Sequence, residues 1–219
     1  MQWRQRPVTL CAVRLTIDIQ DDVAPERVHL RYRRAAFLVD SVAVTASGSG
    51  GVDVVLLSIQ EAARVAAATP GPTDVWAEGF PRGEDRAPAS RVLPAGEGTG
   101  PFGVYRLVER ASGATVGTAG FFGPPDGSRA VTIGYGMVEQ ARGRGYATAA
   151  MAALVSVCRA AGGVDVVKAD TEVDNFASRR VLEKNGFSQV GRSGSLLLYE
   201  LRLATDGTRP GAPAGRSET

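Results

Sequence analysis

A Gly-rich turn joins an apolar strand pattern to a long Ala-rich helix pattern, and this junction constrains the fold more than any other part of the chain. The strand pattern covers 130–138, and the helix pattern runs from Gly145 to about Gly162. The first turn of a helix leaves backbone N–H groups unpaired at the positive end of its dipole. Glycine at positions 143 and 145 lets a phosphate approach those amides closely. The junction therefore predicts a diphosphate site.

Two arginines alternate with these glycines. Arg142 and Arg144 add positive charge that suits a pyrophosphate or a 3′-phosphate. A plain tight turn that opens a helix is the alternative interpretation. A Rossmann fold would need a third glycine where Thr148 stands, and further strand–helix units after this one. Because strand patterns precede the junction and only one more helix pattern follows it, the sequence disfavours a Rossmann fold.

The segment before the junction has helix and strand patterns in turn. Ser58 and Glu61 have the spacing of a capping box, which predicts a helix that continues to about Ala68. A short helix that begins at Thr73 and carries Trp76 is predicted next, and a Gly/Pro/Arg-rich loop follows it. Strand patterns at 102–109, 115–122 and 130–138 then predict an antiparallel meander.

After the long helix, the sequence predicts a strand at 164–171, a helix at 175–184 and strands at 187–190 and 195–201. The predicted fold class is α+β, with a mixed, mostly antiparallel sheet of about seven strands and helices on both faces.

Three segments make up the chain of 219 residues. Residues 1–51 form an N-terminal extension of unknown role, 52–203 the domain, and 204–219 a tail whose composition predicts disorder. Alternating apolar residues at 13–19 predict a strand within the extension. The extension is either a small β addition that packs on the domain or translation upstream of the true start codon.

Composition excludes several classes of chemistry. Cys11, Cys158 and the single histidine, His29, are too few ligands for a common zinc site. A Ser-His-Asp triad would have to rely on His29, which lies in the extension and outside the domain. We therefore expect no metal and no disulfide, with Cys158 as a core residue. The net charge of +2 disfavours a nucleic-acid binder. Without a spanning or leader pattern, we expect no membrane association and a cytoplasmic location.

Two spaced motifs resemble the GNAT N-acetyltransferases. Gln140-x-x-Gly143-x-Gly145 is similar to the acetyl-CoA signature of that family, and 142–148 resembles its RimJ/RimL-type branch, which acetylates protein N-termini and small amines. The block 175–187 is similar to Asn-x-x-Ser-x-x-Val-Leu-x-Lys-x-Gly-Phe of the same branch. The resemblance covers about 52–203.

The resemblance implies a GNAT-like fold and acetyl-CoA as cosubstrate. The strand before the turn should part from its parallel neighbour, so that backbone groups of Met137 and Val138 pair with the pantetheine arm like an added strand. Asn175 would bond the same arm, although it also suits a helix N-cap alone. The amides that would hold the pyrophosphate belong to Arg142, Gly143, Arg144, Gly145, Tyr146 and Ala147.

Catalytic roles follow from the resemblance by position. Ser178 would lie near the sulfur and protonate the departing thiolate, because Leu182 stands where many relatives have an acidic tyrosine. An ordinary first-turn serine is the alternative. Thr132 replaces a glutamate that often serves as base, so Glu172 becomes the expected base, with Asp170, Glu139 and ordered water as rivals. A backbone N–H near Val138 would stabilise the oxyanion.

The implied function is transfer of acetyl from acetyl-CoA to a primary amine, on a protein N-terminus or a small molecule, by direct attack. The acceptor pocket would form from about 59–100, and the protein would be a monomer or homodimer. One alternative is an acyl-CoA-binding regulatory module without turnover. Another is an interaction protein whose Arg-rich extension contacts an acidic partner.

Overall fold

The computed structural model describes residues 51–92 and 100–203, together with the backbone of two short strands in the extension. Nine strands form one sheet in the spatial order β1-β2-β3-β4-β5-β6-β7-β9-β8. In chain order they are β1 (Thr16–Ile17), β2 (Ala43–Ala46), β3 (Val52–Leu56), β4 (Val104–Glu109), β5 (Thr115–Phe121), β6 (Ala130–Met137), β7 (Val166–Glu172), β8 (Ser188–Ser193) and β9 (Leu196–Arg202).

The pairing confirms the predicted α+β class and the mostly antiparallel sheet. Strands β3 to β6 form the predicted antiparallel meander, β6 and β7 are parallel, and β7, β9 and β8 are antiparallel. Residues 52–203 supply the predicted seven strands, and β2 extends the sheet by pairing with β3. The predicted tail at 204–219 lies outside the described residues, as does most of the extension.

In the described part of the chain, four α-helices cover the sheet: α1 (Ile59–Ala67), α2 (Gly83–Val92), α3 (Tyr146–Ala161) and α4 (Phe176–Lys184). The capping box at the start of α1 is confirmed, because Ser58 accepts from the Glu61 amide while the Glu61 carboxylate accepts from the Ser58 amide. Helices α1 and α2 contact each other, whereas α3 contacts α4 and strands β2, β3, β5 and β6.

The region between α1 and β4 differs from the prediction. The expected short helix at Thr73 is wrong, since Trp76 instead forms an isolated parallel bridge with Thr115 of β5. Helix α2 occupies the segment predicted as a loop, although it contains Pro88. Its local propensity is low, and the contact of its buried Asp85 with Thr118 of β5 overrides that propensity.

The two faces of the sheet follow from the alternation along β4. Arg106 forms an ion pair with Glu61 of α1, so its face belongs to α1 and α2. Its neighbours Tyr105 and Leu107 point the opposite way and are buried on the α3 side. The prediction that helices cover both faces is therefore confirmed.

Helix α3 supplies much of the core. Cys158 is fully buried there, as predicted, and burial raises the pKa of its thiol to about 12. The thiol thus stays protonated at neutral pH and behaves as a small apolar side chain. No helix in the described ranges has the length and hydropathy needed to cross a membrane.

An ion pair ties the C-terminal end of α1 to the loop that follows it. The Asp74 carboxylate accepts from Arg64 Nη2 at 3.0 Å and from the Gly71 amide at 2.8 Å. The hydrogen bond from Arg64 is the main reason that the pKa of the Asp74 carboxyl lies below its usual value.

We predict that Asp74→Asn lowers the free energy of unfolding by about 1–2 kcal/mol at pH 7. Because the pKa is depressed in the folded state, the wild-type advantage exists above the unfolded pKa of about 3.9 and disappears as pH falls through the folded pKa. Urea titrations between pH 7 and pH 3 measure it. A difference that stays constant over that range would contradict the assignment.

Candidate active site

Strands β6 and β7 part after a short stretch of parallel pairing. Only three residue pairs join them, and the last is Thr132 with Lys168. Beyond this point β6 continues to Met137 paired with β5, and β7 continues to Glu172 paired with β9. A gap therefore opens between the two strands toward the start of α3, as the family resemblance implied.

Two hydrogen bonds define which backbone groups of β6 face this gap. The Phe122 amide donates to Thr132 O and the Val138 amide donates to Val116 O, both at 2.9 Å. Residues bonded to β5 alternate with residues that point to the opposite edge. The residues whose backbone groups point into the gap are Ile133, Tyr135 and Met137.

This alternation separates the two backbone positions predicted from sequence. Met137 directs its backbone groups into the gap, in the row expected to bind an extended ligand. The Val138 amide is instead occupied by Val116 O. The Val138 amide itself is therefore not free to bind an oxyanion, whereas the amides of Met137 and Tyr135 face the gap, with Tyr135 further into the sheet.

The predicted anion site lies where the gap meets α3. Gly145 is the N-cap of α3, and no side chain caps the helix there. Gly143 and Gly145 have φ values of +74° and +81°, and a Cβ at either position would meet no atom within 4 Å. The first-turn amides therefore have no side-chain cap, and the surface above both glycines is open.

The side chains of this turn have a different role from its backbone. The Arg144 guanidinium contacts Glu109, and the Tyr146 hydroxyl donates to Glu109 Oε1 at 2.8 Å. Hydrogen bonds from Ser112 and then Tyr146 hold the pKa of the Glu109 carboxyl below its usual value. Arg144 and Tyr146 are engaged with Glu109 and fix the turn, and both Arg142 and Arg144 are exposed.

A cavity of about 420 Å³ passes through the gap. Arg82 and Phe122 line it on the α2 face of the sheet, and Met151 of α3 and Ser178 of α4 line it on the other face. The cavity thus connects a surface near α2 with the interior of the gap.

Ser178 lies in this cavity together with a second hydroxyl. Tyr135 of β6 lines the cavity too; burial raises the pKa of its phenol, and the neighbouring Ser178 side chain offsets part of that rise. Leu182, one turn later in α4, also lines the cavity and is 1% exposed. Asn175 caps α4 by accepting from the Ser178 amide at 3.1 Å and does not line the cavity.

The carboxylates differ in their access to the cavity. Asp170 of β7 lines it, whereas Glu172 and Glu139 do not. Continuing the β6–β7 register places Asp170 across the gap from Gly134, and its side chain faces α2. The structure therefore places the rival Asp170, rather than the expected base Glu172, beside the gap.

Sequence reasoning missed a buried ion pair beside β6. Asp85 is fully buried and accepts from Arg82 Nε at 2.8 Å, from Arg82 Nη2 at 2.9 Å and from Thr118 Oγ1 at 2.7 Å. The Arg82 guanidinium lies against Gly136, where a Cβ would be 2.1 Å from Nη2. The spacing of Arg82 and Asp85, together with glycine at 136, was the only sequence signal.

Asp85→Ala should lower the free energy of unfolding by about 3–5 kcal/mol, because it leaves the Arg82 charge and the Thr118 hydroxyl without their buried partner. The matched control is Glu84→Ala. That neighbouring carboxylate also pairs with Arg82, but its side chain is 83% exposed, so a change of at most about 1 kcal/mol is expected. Thermal and urea unfolding measure both, and equal effects would contradict this account.

Within the described residues, no group of three or more His, Cys, Asp or Glu side chains could hold a metal ion.

The family of the chain follows from comparison with known proteins. Residues 56–188 match the acetyltransferase (GNAT) domain. Since this match spans more than half of the chain, the chain belongs to the GNAT acetyltransferase family, which confirms the family predicted from the two motifs.

Individual relatives agree with this assignment. The chain is 31% identical over 96 residues to YjdG of Bacillus subtilis (strain 168), described as an uncharacterized N-acetyltransferase. This alignment covers 44% of the chain, and the chain spans 57% of that relative's length.

Solved structures of similar fold include ribosomal-protein acetyltransferases. The ribosomal-protein-S5-alanine acetyltransferase from Vibrio fischeri gives a TM-score of 0.55 at 16% identity, covering 77% of this chain and all of that one. RimL, a ribosomal L7/L12 alpha-N-protein acetyltransferase in complex with coenzyme A, gives 0.53 at 16% identity, covering 71% and 96%. At these identities the likeness concerns the fold alone.

Proposed function

We propose that this chain transfers an acetyl group from acetyl-CoA to a primary amine by direct attack of the amine on the thioester. The observation that carries the proposal is the gap between β6 and β7, which leads to the open start of α3. The gap row of β6 offers N–H and C=O groups to an extended pantetheine arm, in the manner of an added strand.

The diphosphate would bind at the far end of the same path. The Arg142 amide donates to Glu139 O at 3.0 Å, so the amides left for the diphosphate are those of residues 143–147 at the start of α3, where glycines leave the backbone open and the helix dipole favours negative charge. Arg142 is exposed and adds a positive charge nearby. In this arrangement the pantetheine arm passes Met137, with Asn175 as a further polar group beside it, and the thioester reaches the cavity lined by Asp170 and Ser178.

The acceptor would enter from the α2 face of the sheet. Asp170 lies on that face and is the carboxylate best placed to accept the proton that the amine loses, directly or through water. This assignment replaces Glu172. The Tyr135 amide points into the gap and would stabilise the oxyanion, and a hydroxyl on the α4 face would protonate the sulfur.

The acceptor is a primary amine on a protein N-terminus or on a small molecule. RimL and the Vibrio fischeri enzyme are described as acting on ribosomal proteins, which supports the first class. An acyl-CoA-binding module without turnover is the competing function. Binding of acetyl-CoA without acetyl transfer to a panel of peptide and small-molecule amines would favour that module.

Isothermal titration of acetyl-CoA into wild type and Gly145→Glu tests the proposal. We predict micromolar binding by wild type and a loss of at least about 100-fold in the variant, because the carboxylate would occupy and repel the diphosphate site.

Gly194→Glu is the matched control for this variant. Gly194 lies in the β8–β9 turn with φ +60°, so both substitutions place glutamate at a positive φ where a Cβ meets no atom within 4 Å. The control should bind acetyl-CoA like wild type. Equal binding by all three proteins, or none by wild type, would overturn the proposed cofactor site.

A further inference from the structure

We propose that Tyr135 is the acid that protonates the departing thiolate, and that Ser178 positions it. This inference rests on the proposed acetyl transfer and assigns its second proton step. Tyr135 belongs to β6. It therefore differs from the tyrosine of many relatives, which lies in the helix equivalent to α4.

The placement of Tyr135 supports this role. Its side chain is half-buried and lines the cavity together with Ser178. Asp170 lies level with Gly134 in the continued β6–β7 register, so these two residues face the same side of the sheet. Tyr135 is the next residue along β6 and therefore points to the opposite side, the α4 face. If the amine arrives beside Asp170, the departing sulfur lies on the opposite side, where Tyr135 and Ser178 line the cavity.

Chemistry favours the phenol over the serine hydroxyl as the donor. A phenol has an ordinary pKa of about 10, close to the value of about 8.5 for a thiol, whereas an aliphatic alcohol is a much weaker acid. Proton transfer from a phenol to a thiolate is thus only slightly unfavourable. Burial raises the pKa of the Tyr135 phenol above this ordinary value and makes the transfer less favourable, and the Ser178 hydroxyl would offset part of that cost by donating to the phenolate that forms.

The proton and electron balance is complete without another reactant. The amine lone pair attacks the carbonyl carbon, and the C–S bond breaks with its electron pair remaining on sulfur. The Tyr135 hydroxyl gives its proton to the sulfur, which yields a free thiol and a phenolate. The proton released by the amine then returns to the phenolate through Asp170 or water, so that one amine and one thioester give one amide and one thiol.

The residues around Tyr135 contain few other candidates. Leu182 has no proton to give. Thr118 donates to the buried Asp85 and is therefore engaged. Among the described residues that line the cavity, Tyr135 and Ser178 are the hydroxyl groups that face α4.

Tyr135→Phe tests the inference in the full chain. We expect kcat for acetyl transfer to an amine to fall by at least about 100-fold, while the acetyl-CoA Kd from titration stays within about twofold of wild type. Ser178→Ala should lower kcat less than Tyr135→Phe does, because the phenol remains. The matched control, Tyr199→Phe, removes a buried hydroxyl that has no hydrogen-bond partner in the described structure and should leave both values unchanged.

The dependence of kcat on the acidity of the leaving thiol distinguishes an acid from a residue with a purely structural role. A structural defect would be the same for every thioester. Acetyl thioesters of more acidic thiols need less protonation of sulfur, so the defect of Tyr135→Phe should shrink with such donors while the defect of Ser178→Ala shrinks in parallel. A wild-type kcat in Tyr135→Phe, or a defect independent of the thiol, would overturn the inference. If wild type itself transfers acetyl to no amine, the proposed function fails instead.

Discussion

The end of pairing between β6 and β7 is the constraint on which the rest of the site depends. Strand β6 stays paired with β5 and β7 stays paired with β9, so the sheet remains continuous. Along their facing edges, three or more residue pairs that could have formed hydrogen bonds are left unpaired. Backbone groups left in such a gap must be satisfied by water or by a ligand. An extended ligand with amide groups is the partner whose chemistry fits both edges.

The two faces of the sheet carry different polar groups around this gap. On the α2 face, the buried Asp85 holds Arg82 against Gly136, and Asp170 stands beside the opening. On the α4 face, Tyr135 and Ser178 line the same cavity. The carboxylate proposed to take up a proton and the hydroxyls proposed to give one thus lie on opposite sides of the path proposed for the thioester.

Local signals made much of this structure predictable. The capping box at Ser58, the strand alternation and the Gly-rich turn before α3 gave the element order, because each depends on neighbouring residues. Helix α2 was not predicted because it is stabilised by a long-range contact, the hydrogen bond between Asp85 and Thr118 of β5. Two assignments could not be made from sequence: the base, Asp170 or Glu172, and the oxyanion donor, the amide of Tyr135 or one near Val138. Both depend on the register between neighbouring strands, and the sequence of a single strand does not contain that information.

Amide hydrogen exchange of residues 133–138, followed by NMR with and without acetyl-CoA, tests the central claim most directly. If the pantetheine arm pairs with the gap row, the amides of Tyr135 and Met137 will exchange at least about tenfold more slowly in the complex. The amides of Gly134 and Gly136, already bonded to β5, will change little. Unchanged exchange at Tyr135 and Met137 in a protein saturated with acetyl-CoA would contradict the claim.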